Sequence, residues 1–493
     1  MPVMPATTLI PAEMQDLKQR RICANCVSES FLRAEINRTG EINDCFYCDD
    51  NGPTFSIEEI ANRVDRAFEQ HYERTLTEPD GFEYAMLRES IEGWERPGEE
   101  VMYVIAAAIG IDEGPAEDIR CFLEDRHFDK YRIEAGEEGP FDSSAQYEEK
   151  SPDADSFMRE WLNFEKGIKT QARFFNSAGQ SILRTIFQGL EELRTQEGQS
   201  VIVPVGPNNI ITTLDRARVF QSRSKLEEAL KYPDREIGPP PSPAAAAGRM
   251  NARGISVFYG AKNKKAAVAE VRPPVGSWVV TGRFEIIRQL RLLDVAALEL
   301  ITEKGSIFDP GYLRRLERAK FFAILGARIT RPVLPDDEPF EYLATQAIAD
   351  FLSTEMHLDG LIYDSAQVRT KSVNVVLFHH ASGVEKISTT EGTTVRVFSP
   401  IDTEDGDETN YTVWVKPPPE YGSTNNGNQD LAIDWWTVPE ETNSFPPALR
   451  LDLESLTVHH ISAVDVKDTV FPVTRFLLSH TTDTGSNHGQ HQS

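Results

Sequence analysis

The chain has 493 residues, which at about 150 residues per domain is room for roughly three domains and excludes a peptide or a disulfide miniprotein. Lys and Arg number 51 against 78 Asp and Glu, a formal charge of −27, and a surface of that sign repels phosphate backbones and counts against nucleic acid as a partner. Apolar residues at 40% and charged residues at 26% are a globular balance, which excludes a disordered chain.

The start, MPVMPATTLIPAEMQDLKQRR, has no apolar core of the kind a signal peptide needs. Residues 1–50 hold four of the five cysteines. Cys23-Ala-Asn-Cys26, then eighteen residues, then Cys45-Phe-Tyr-Cys48 is the spacing of two metal knuckles. Each CxxC brings two thiolates to one ion, and two of them close a tetrahedron, so a structural zinc on Cys23, Cys26, Cys45 and Cys48 is expected. Cys121 is expected to be a buried free thiol.

Residues 51–205 read as a mostly helical domain. Ile57, Ile60, Val64, Phe68 and His71 recur at helical spacing behind a Ser56/Glu59 capping-box pattern. Phe157, Trp161, Phe164 and Ile168 form a second stripe, and Ile182, Ile186, Leu190 and Leu193 a third. The longest apolar run, VMYVIAAAIGI at 101–111, is too short to span a bilayer and reads as a buried helix or strand. With the start of the chain it points to a cytoplasmic protein without a membrane partner. Residues 131–160 carry nine Asp/Glu against three Lys/Arg and read as a solvated linker.

From 201 to 400 the pattern is mixed α+β, and the domain it belongs to is expected to run from 206 to 480. Strand-like runs stand at 201–205, 255–259, 277–286, 360–363 and 373–378, with helical stretches at 263–272, 310–326 and 341–355 between them. The prolines of 237–248 mark a loop, within a longer loop expected over 225–248. Residues 401–448 are rich in Asp, Asn, Gly and Pro and look like an insertion. Order returns at 449–478, and 481–493 reads as a disordered tail, which makes its Asp-Thr-Gly at 483–485 a chance match.

Three segments carry chemistry together: LDRAR at 214–218, AGRMNARGISVFYGAKNKKAAVAEVRPP at 247–274 and DGLIYDSAQVRTKSVNVVLF at 359–378. In this order they resemble the RES domain family, over about 206–400 and again at 449–478. The first half, with its cysteines and helices, is similar to the HEPN-like extension that precedes RES domains in some long members.

The resemblance implies a fold related to ADP-ribosyltransferases, here behind a helical domain and a zinc module, and NAD as the substrate. It implies an enzyme that cleaves the nicotinamide–ribose bond, as glycohydrolase or phosphorylase, and acts as a growth-inhibiting toxin or defence effector. ADP-ribosyl transfer to a macromolecule is the alternative. An antitoxin or regulatory protein is the implied partner, and self-association stays open. Carried over residue by residue, the family's arginine falls on Arg216 (with Arg218 competing), its tyrosine on Tyr259, its glutamate on Glu270 and its serine on Ser365.

The residue chemistry agrees. A guanidinium grips a pyrophosphate with two parallel hydrogen bonds, as Arg216 could, with Arg218, Arg249 and Arg253 near in sequence. A tyrosine face excludes water beside a nicotinamide ring. A lone carboxylate, Glu270, steadies the ribosyl cation left by a good leaving group. Ser365 could hold the amide or the ribose. Asn251, Gln346 and Asn374 are further polar candidates for binding the dinucleotide.

Arg66 and His71 fit the loose arginine–histidine pattern of HEPN ribonucleases, but one helix turns them about 140° apart, so His71 is expected in a core or interface. A ribonuclease centred there, or a non-catalytic zinc adaptor, is the remaining alternative. His379-His380 and His459-His460 read as structural. A P-loop and a G-x-G-x-x-G fingerprint are both missing from the sequence.

Overall fold

The computed structural model describes residues 11–87, 93–365, 372–399, 401–403, 406–408, 410–418, 445–465 and 468–475. The tail expected at 481–493, and with it the Asp-Thr-Gly triplet, lies outside the described residues, as does 419–444 of the expected insertion.

The first half opens with α1 (Pro11–Gln19), β1 (Arg21–Cys23), α2 (Ser30–Thr39), β2 (Glu41–Asp44) and β3 (Asn51–Ser56). The three strands form an antiparallel sheet in the order β1-β3-β2. Then come α3 (Ile57–His71), β4 (Tyr72–Arg74), α4 (Gly81–Leu87), β5 (Glu99–Glu100), α5 (Val101–Ile109), α6 (Glu113–Arg126), α7 (Lys130–Glu134) and β6 (Gln146–Glu149). Helix α3 starts where its capping box predicts: Ser56 Oγ accepts from the Glu59 amide at 3.2 Å, and Glu59 accepts from the Ser56 amide at 2.7 Å. The apolar run at 101–111 is the buried helix α5. It ends at Gly110, whose φ of 66° and close approach to Ser28 Oγ, 2.0 Å from an added Cβ, leave no space for a side chain.

One apolar cluster unites this half. It joins Ile22, Val27 and Leu32 of the cysteine-bearing segment with Ile60, Phe68, Ile105, Ile119 and Tyr147. The cysteine-bearing segment from Met14 on therefore shares a core with the helices that follow instead of standing apart. Part of the expected acidic linker is also ordered, as α7 and β6, with β6 pairing to both β4 and β5.

The second half contains α8 (Asp155–Thr170), α9 (Ser177–Phe187), β7 (Ile202–Val205), β8 (Thr213–Phe220), α10 (Arg223–Lys231), α11 (Pro233–Glu236), β9 (Phe258–Ala261), α12 (Lys264–Glu270), β10 (Trp278–Ile286) and β11 (Leu290–Asp294). It continues with α13 (Tyr312–Thr330), α14 (Glu338–Thr354), β12 (Gly360–Asp364), β13 (Val373–Leu377), the short strands β14 (Thr394–Phe398), β15 (Ile401–Thr403), β16 (Gly406–Glu408) and β17 (Thr412–Lys416), and β18 (Leu449–His460). An eight-stranded sheet runs β18-β10-β8-β9-β13-β12-β11-β7. Only β11 and β12 pair in parallel; the other neighbours are antiparallel. The architecture is α+β.

Helices cover both faces. On one, Phe157, Trp161 and Phe164 of α8 and Phe187 of α9 pack with Phe321, Phe322 and Leu352 of α13 and α14 over Leu361 and Val376. On the other, Leu226, Ala229 and Leu230 of α10 pack on Leu214, Phe258, Val375 and Phe284. Each of these large apolar side chains contributes roughly 1.5–3 kcal/mol by leaving water.

Three expectations change. Helices α8 and α9, expected within a helical domain ending at 205, belong to the core of the sheet, because their apolar stripes complete its face. The loop expected from 225 holds α10 and α11, since Leu226, Ala229 and Leu230 make an amphipathic face that the neighbouring prolines mask in the sequence. The returning strand ends at His460: the described residues after it are neither helix nor strand.

The halves interlock. Phe308, from the segment before α13, is buried in the N-terminal cluster, and His71 stacks on Tyr312 at 5.8 Å. Phe321 sits against Phe157 and Trp161 at 5.8 and 6.3 Å. Phe321→Ala should lower stability by about 3–5 kcal/mol, read as a shift in the urea midpoint.

Candidate active site

The site is built where β8, β9, β13 and β12 lie side by side. Register puts Asp215, Ala261, Asn374 and Tyr363 in one cross-strand row. Over it runs α12, which is set close to the sheet by small residues: Ala266 and Ala267 pack on Ala217, Ala261 and Val279. Asn263 caps α12, accepting from the Ala266 amide at 2.9 Å and donating to Ser372 Oγ at 3.0 Å. Pro273 and Pro274 stop the helix just beyond Glu270.

Glu270 therefore ends a helix, where the backbone dipole disfavours negative charge by about 0.3–1 kcal/mol. Two donors offset this. Ser365 Oγ donates to Glu270 Oε1 at 2.6 Å and Asn374 Nδ2 to the same oxygen at 2.7 Å. Hydrogen bonds to a charged acceptor are worth about 1.5–3 kcal/mol each, so the carboxylate is held. No described donor bonds to Glu270 Oε2. Asn374 is buried, and its Oδ1 has no partner.

A cleft of about 430 Å³ opens beside this trio, lined by Arg216, Tyr259 and Glu270 together with Asp215, Arg249, Tyr342, Tyr363 and Asn374. Strands β8 and β9 pair only at Asp215–Ala261. Arg216 Nη1 donates to the Tyr259 carbonyl at 3.0 Å, and the guanidinium lies over Phe258 at 4.8 Å. Its Nε has no partner, and among the described residues no carboxylate pairs with it. Although the residue as a whole is only half-buried, its guanidinium lies deep. Burial, and then the neighbouring Arg218, push its pKa down to about 10, still cationic at neutral pH.

Tyr259 uses its hydroxyl structurally. It donates to Asn251 Oδ1 at 2.9 Å and accepts from the Met250 amide at 3.1 Å, and burial pushes it up to about 12. Gly248 is required here, because a Cβ would lie 2.7 Å from that hydroxyl. Arg249 lies on the Tyr342 ring at 5.2 Å, with Nη1 donating to the Ile329 carbonyl at 2.6 Å.

The remaining polar candidates stand outside the cleft lining. Arg218 is spent on the Glu236 carbonyl at the end of α11. Asn251 Nδ2 holds the carbonyls of Ala246, Ala252 and Ile255, and Gln346 Nε2 holds that of Gly248. Asn251 and Gln346 thus shape the loop that carries Arg249. Arg253 is exposed and is not among the cleft residues.

Sequence reasoning missed Tyr363, Tyr342 and Asp215. Tyr363 was within reach, since it stands two positions before Ser365 in the same segment and pairs across the strands with Asn374. Burial raises its pKa and keeps the phenol protonated. Asp215 is buried with its Oδ1 unpaired by hydrogen bonds, 3.8 Å from Arg283 Nε, and burial raises its pKa.

The four N-terminal cysteines converge. Sulfur separations are 3.7 Å for Cys23–Cys26, 3.5 Å for Cys23–Cys48 and 3.8 Å for Cys26–Cys45, and all four lie within 4.8 Å of one another. A tetrahedral zinc with bonds of about 2.3 Å needs edges of about 3.8 Å, so the donor set fits that ion with no position left open for chemistry. Cys121 lies outside the cluster and is half-buried, not buried; its Sγ is 3.5 Å from Glu117, and burial pushes it up to about 12. The histidine pairs are engaged elsewhere: His379 with the Ser256 carbonyl, His380 with Asp359 and Ser353, His459 with Thr281, and His460 against Trp278.

Arg66 and His71 do not form a joint site. Arg66 is turned outward onto the Asn62 carbonyl, whereas His71 is buried on Tyr312 with its Nε2 unpaired.

Metal analysis should find about one zinc per chain. Cys23→Ser with Cys45→Ser should remove it and lower the melting temperature. Burial holds His71 below its usual 6.5, so the unfolded chain takes up that proton first as pH falls. Its contribution is complete above that value and is lost below it. His71→Phe should flatten the fall in stability between about pH 7 and 5, read by urea titration.

Among the described residues, no helix is long and apolar enough to cross a membrane. Residues 214–397 match the family model of the RES domain. Among solved structures the chain is similar to one described as the crystal structure of the M. tuberculosis MbcT-MbcA toxin-antitoxin complex. Identity is 16%, over 34% of this chain and 77% of that one, with a TM-score of 0.17. No curated protein matches the chain. The matched segment holds Arg216, Tyr259, Glu270, Ser365 and Asn374 and the strands from β8 to β13, so that residues 214–397 are a RES domain.

Proposed function

We propose that the cleft breaks the bond between nicotinamide and ribose in NAD. The observation that carries this reading is the Glu270 carboxylate, fixed through one oxygen with the other unheld, in the same cleft as a deep guanidinium that has no ion-pair partner among the described residues; Asp215, Glu338 and Asp364 also line that cleft.

Arg216 and Arg249 supply two cations for the two phosphates of the dinucleotide. Neither has a carboxylate partner among the described residues, and a phosphate replaces the water that a buried guanidinium lacks. The faces of Tyr259 and Tyr363 shield the nicotinamide. As the C–N bond breaks, its electron pair moves to the ring nitrogen and nicotinamide leaves neutral without needing an acid. Positive charge then builds on the ribose, where Glu270 Oε2 stabilises it. Ser365 and Asn374 keep that carboxylate oriented. Water attacking the cation gives ADP-ribose; phosphate gives ADP-ribose 1″-phosphate; a macromolecular nucleophile gives a modified polymer. The mass of the product tells these apart.

Purified protein should release nicotinamide from NAD. Glu270→Gln should cut the rate at least about a hundredfold, as loss of electrostatic stabilisation does elsewhere. Asn374→Ala should cut it less, by about tenfold, because it acts through Glu270. Wild-type rates in Glu270→Gln would refute the reading. Expression of the active chain should drain cellular NAD and stop growth, whereas Glu270→Gln should not.

A further inference from the structure

The cleft around Glu270 supplies partners for one nucleoside end of a dinucleotide. A second cavity of about 210 Å³ lies beside it, and its wall includes Trp161 and Glu165 of α8, which precedes the RES domain. The two cavities share Arg249 and Tyr342. Between them the chain leaving α13 alternates: Thr330 and Pro332 line the cleft, while Arg331 lines the second cavity. Residues 330–332 therefore border both cavities, beside the Arg249–Tyr342 stack. A diphosphate bound at Arg249 would have one end on each side.

We infer that the second cavity takes the adenine ring of the dinucleotide, so that α8 completes the substrate site. This rests on the reading of the cleft given above. Adenine presents ring-nitrogen acceptors beside an amino donor. The wall offers the complement: the Trp161 indole N–H, buried without an acceptor, and the Glu165 carboxylate, whose ion-pair contact is Arg328 at 3.5 Å. An orphan donor in a buried wall costs free energy unless an acceptor arrives. Arg331, without a carboxylate partner among the described residues, adds positive charge where the adenylate phosphate passes.

The test is calorimetric binding of AMP and of nicotinamide mononucleotide to the full chain, in the wild type, Trp161→Phe and Glu165→Ala. Wild-type protein should bind both. Trp161→Phe should weaken AMP about threefold to tenfold, the loss expected for one hydrogen bond, and leave nicotinamide mononucleotide bound as before. Glu165→Ala, at a partly buried position of the same helix outside the apolar core, reads the cavity without disturbing that core and should also weaken AMP alone. The KM for NAD should rise by the same factor. The assignment is overturned if the wild type does not bind AMP, if both variants bind it normally, or if the two nucleotides weaken together. Should AMP binding depend on Trp161 while no nicotinamide is released from NAD, the reading of Glu270 fails and the adenine site stands.

Discussion

Glu270 Oε1 accepts two hydrogen bonds from residues that arrive by separate routes, Ser365 after β12 and Asn374 within β13. That shared oxygen ties the end of a short helix to the middle of the sheet. The carboxylate stands at a helix terminus that disfavours its charge, so without the two donors it would swing toward solvent. Everything else in the cleft is arranged around it. The alanines of α12 bring it close to the strands, and the order β8-β9-β13-β12 sets Arg216 on a neighbouring strand of the same floor.

Around this contact the molecule spends apolar surface on rigidity. The aromatic side chains of α8, α9 and α13 back one side of the strands, and α10 closes the other. Of the buried polar side-chain atoms without a hydrogen-bond partner among the described residues, Asp215 Oδ1, Arg216 Nε and Asn374 Oδ1 belong to residues of the cleft wall, whereas those of His71, Trp161 and Arg288 lie elsewhere. Buried polar groups are normally paired, so the clustering of the first three at one place marks it chemically.

Much was legible in the sequence because it is local. The cysteine spacing, the Ser56/Glu59 cap and the stripe from Ile57 to His71 each depend on neighbours within a few residues, and the structure has the cap and the stripe where they were expected. What escaped is long-range or masked. Strand β8 hides because LDRAR carries three charged side chains, two of which, Asp215 and Arg216, line the cleft. Helix α10 hides behind prolines. That α8 serves the sheet and not the preceding helices cannot be read from its own stripe, which would suit either. The rivalry between Arg216 and Arg218 is decided by tertiary placement: one lines the cleft and the other is tied to the Glu236 carbonyl.

Phe308 belongs by sequence to the RES domain and by packing to the core of the cysteine-bearing half. A cut at the family boundary would therefore leave one fragment missing an aromatic plug and the other stripped of the helices that roof its strands. Exchanging either half for an unrelated one would open a void on one side and bare a greasy face on the other.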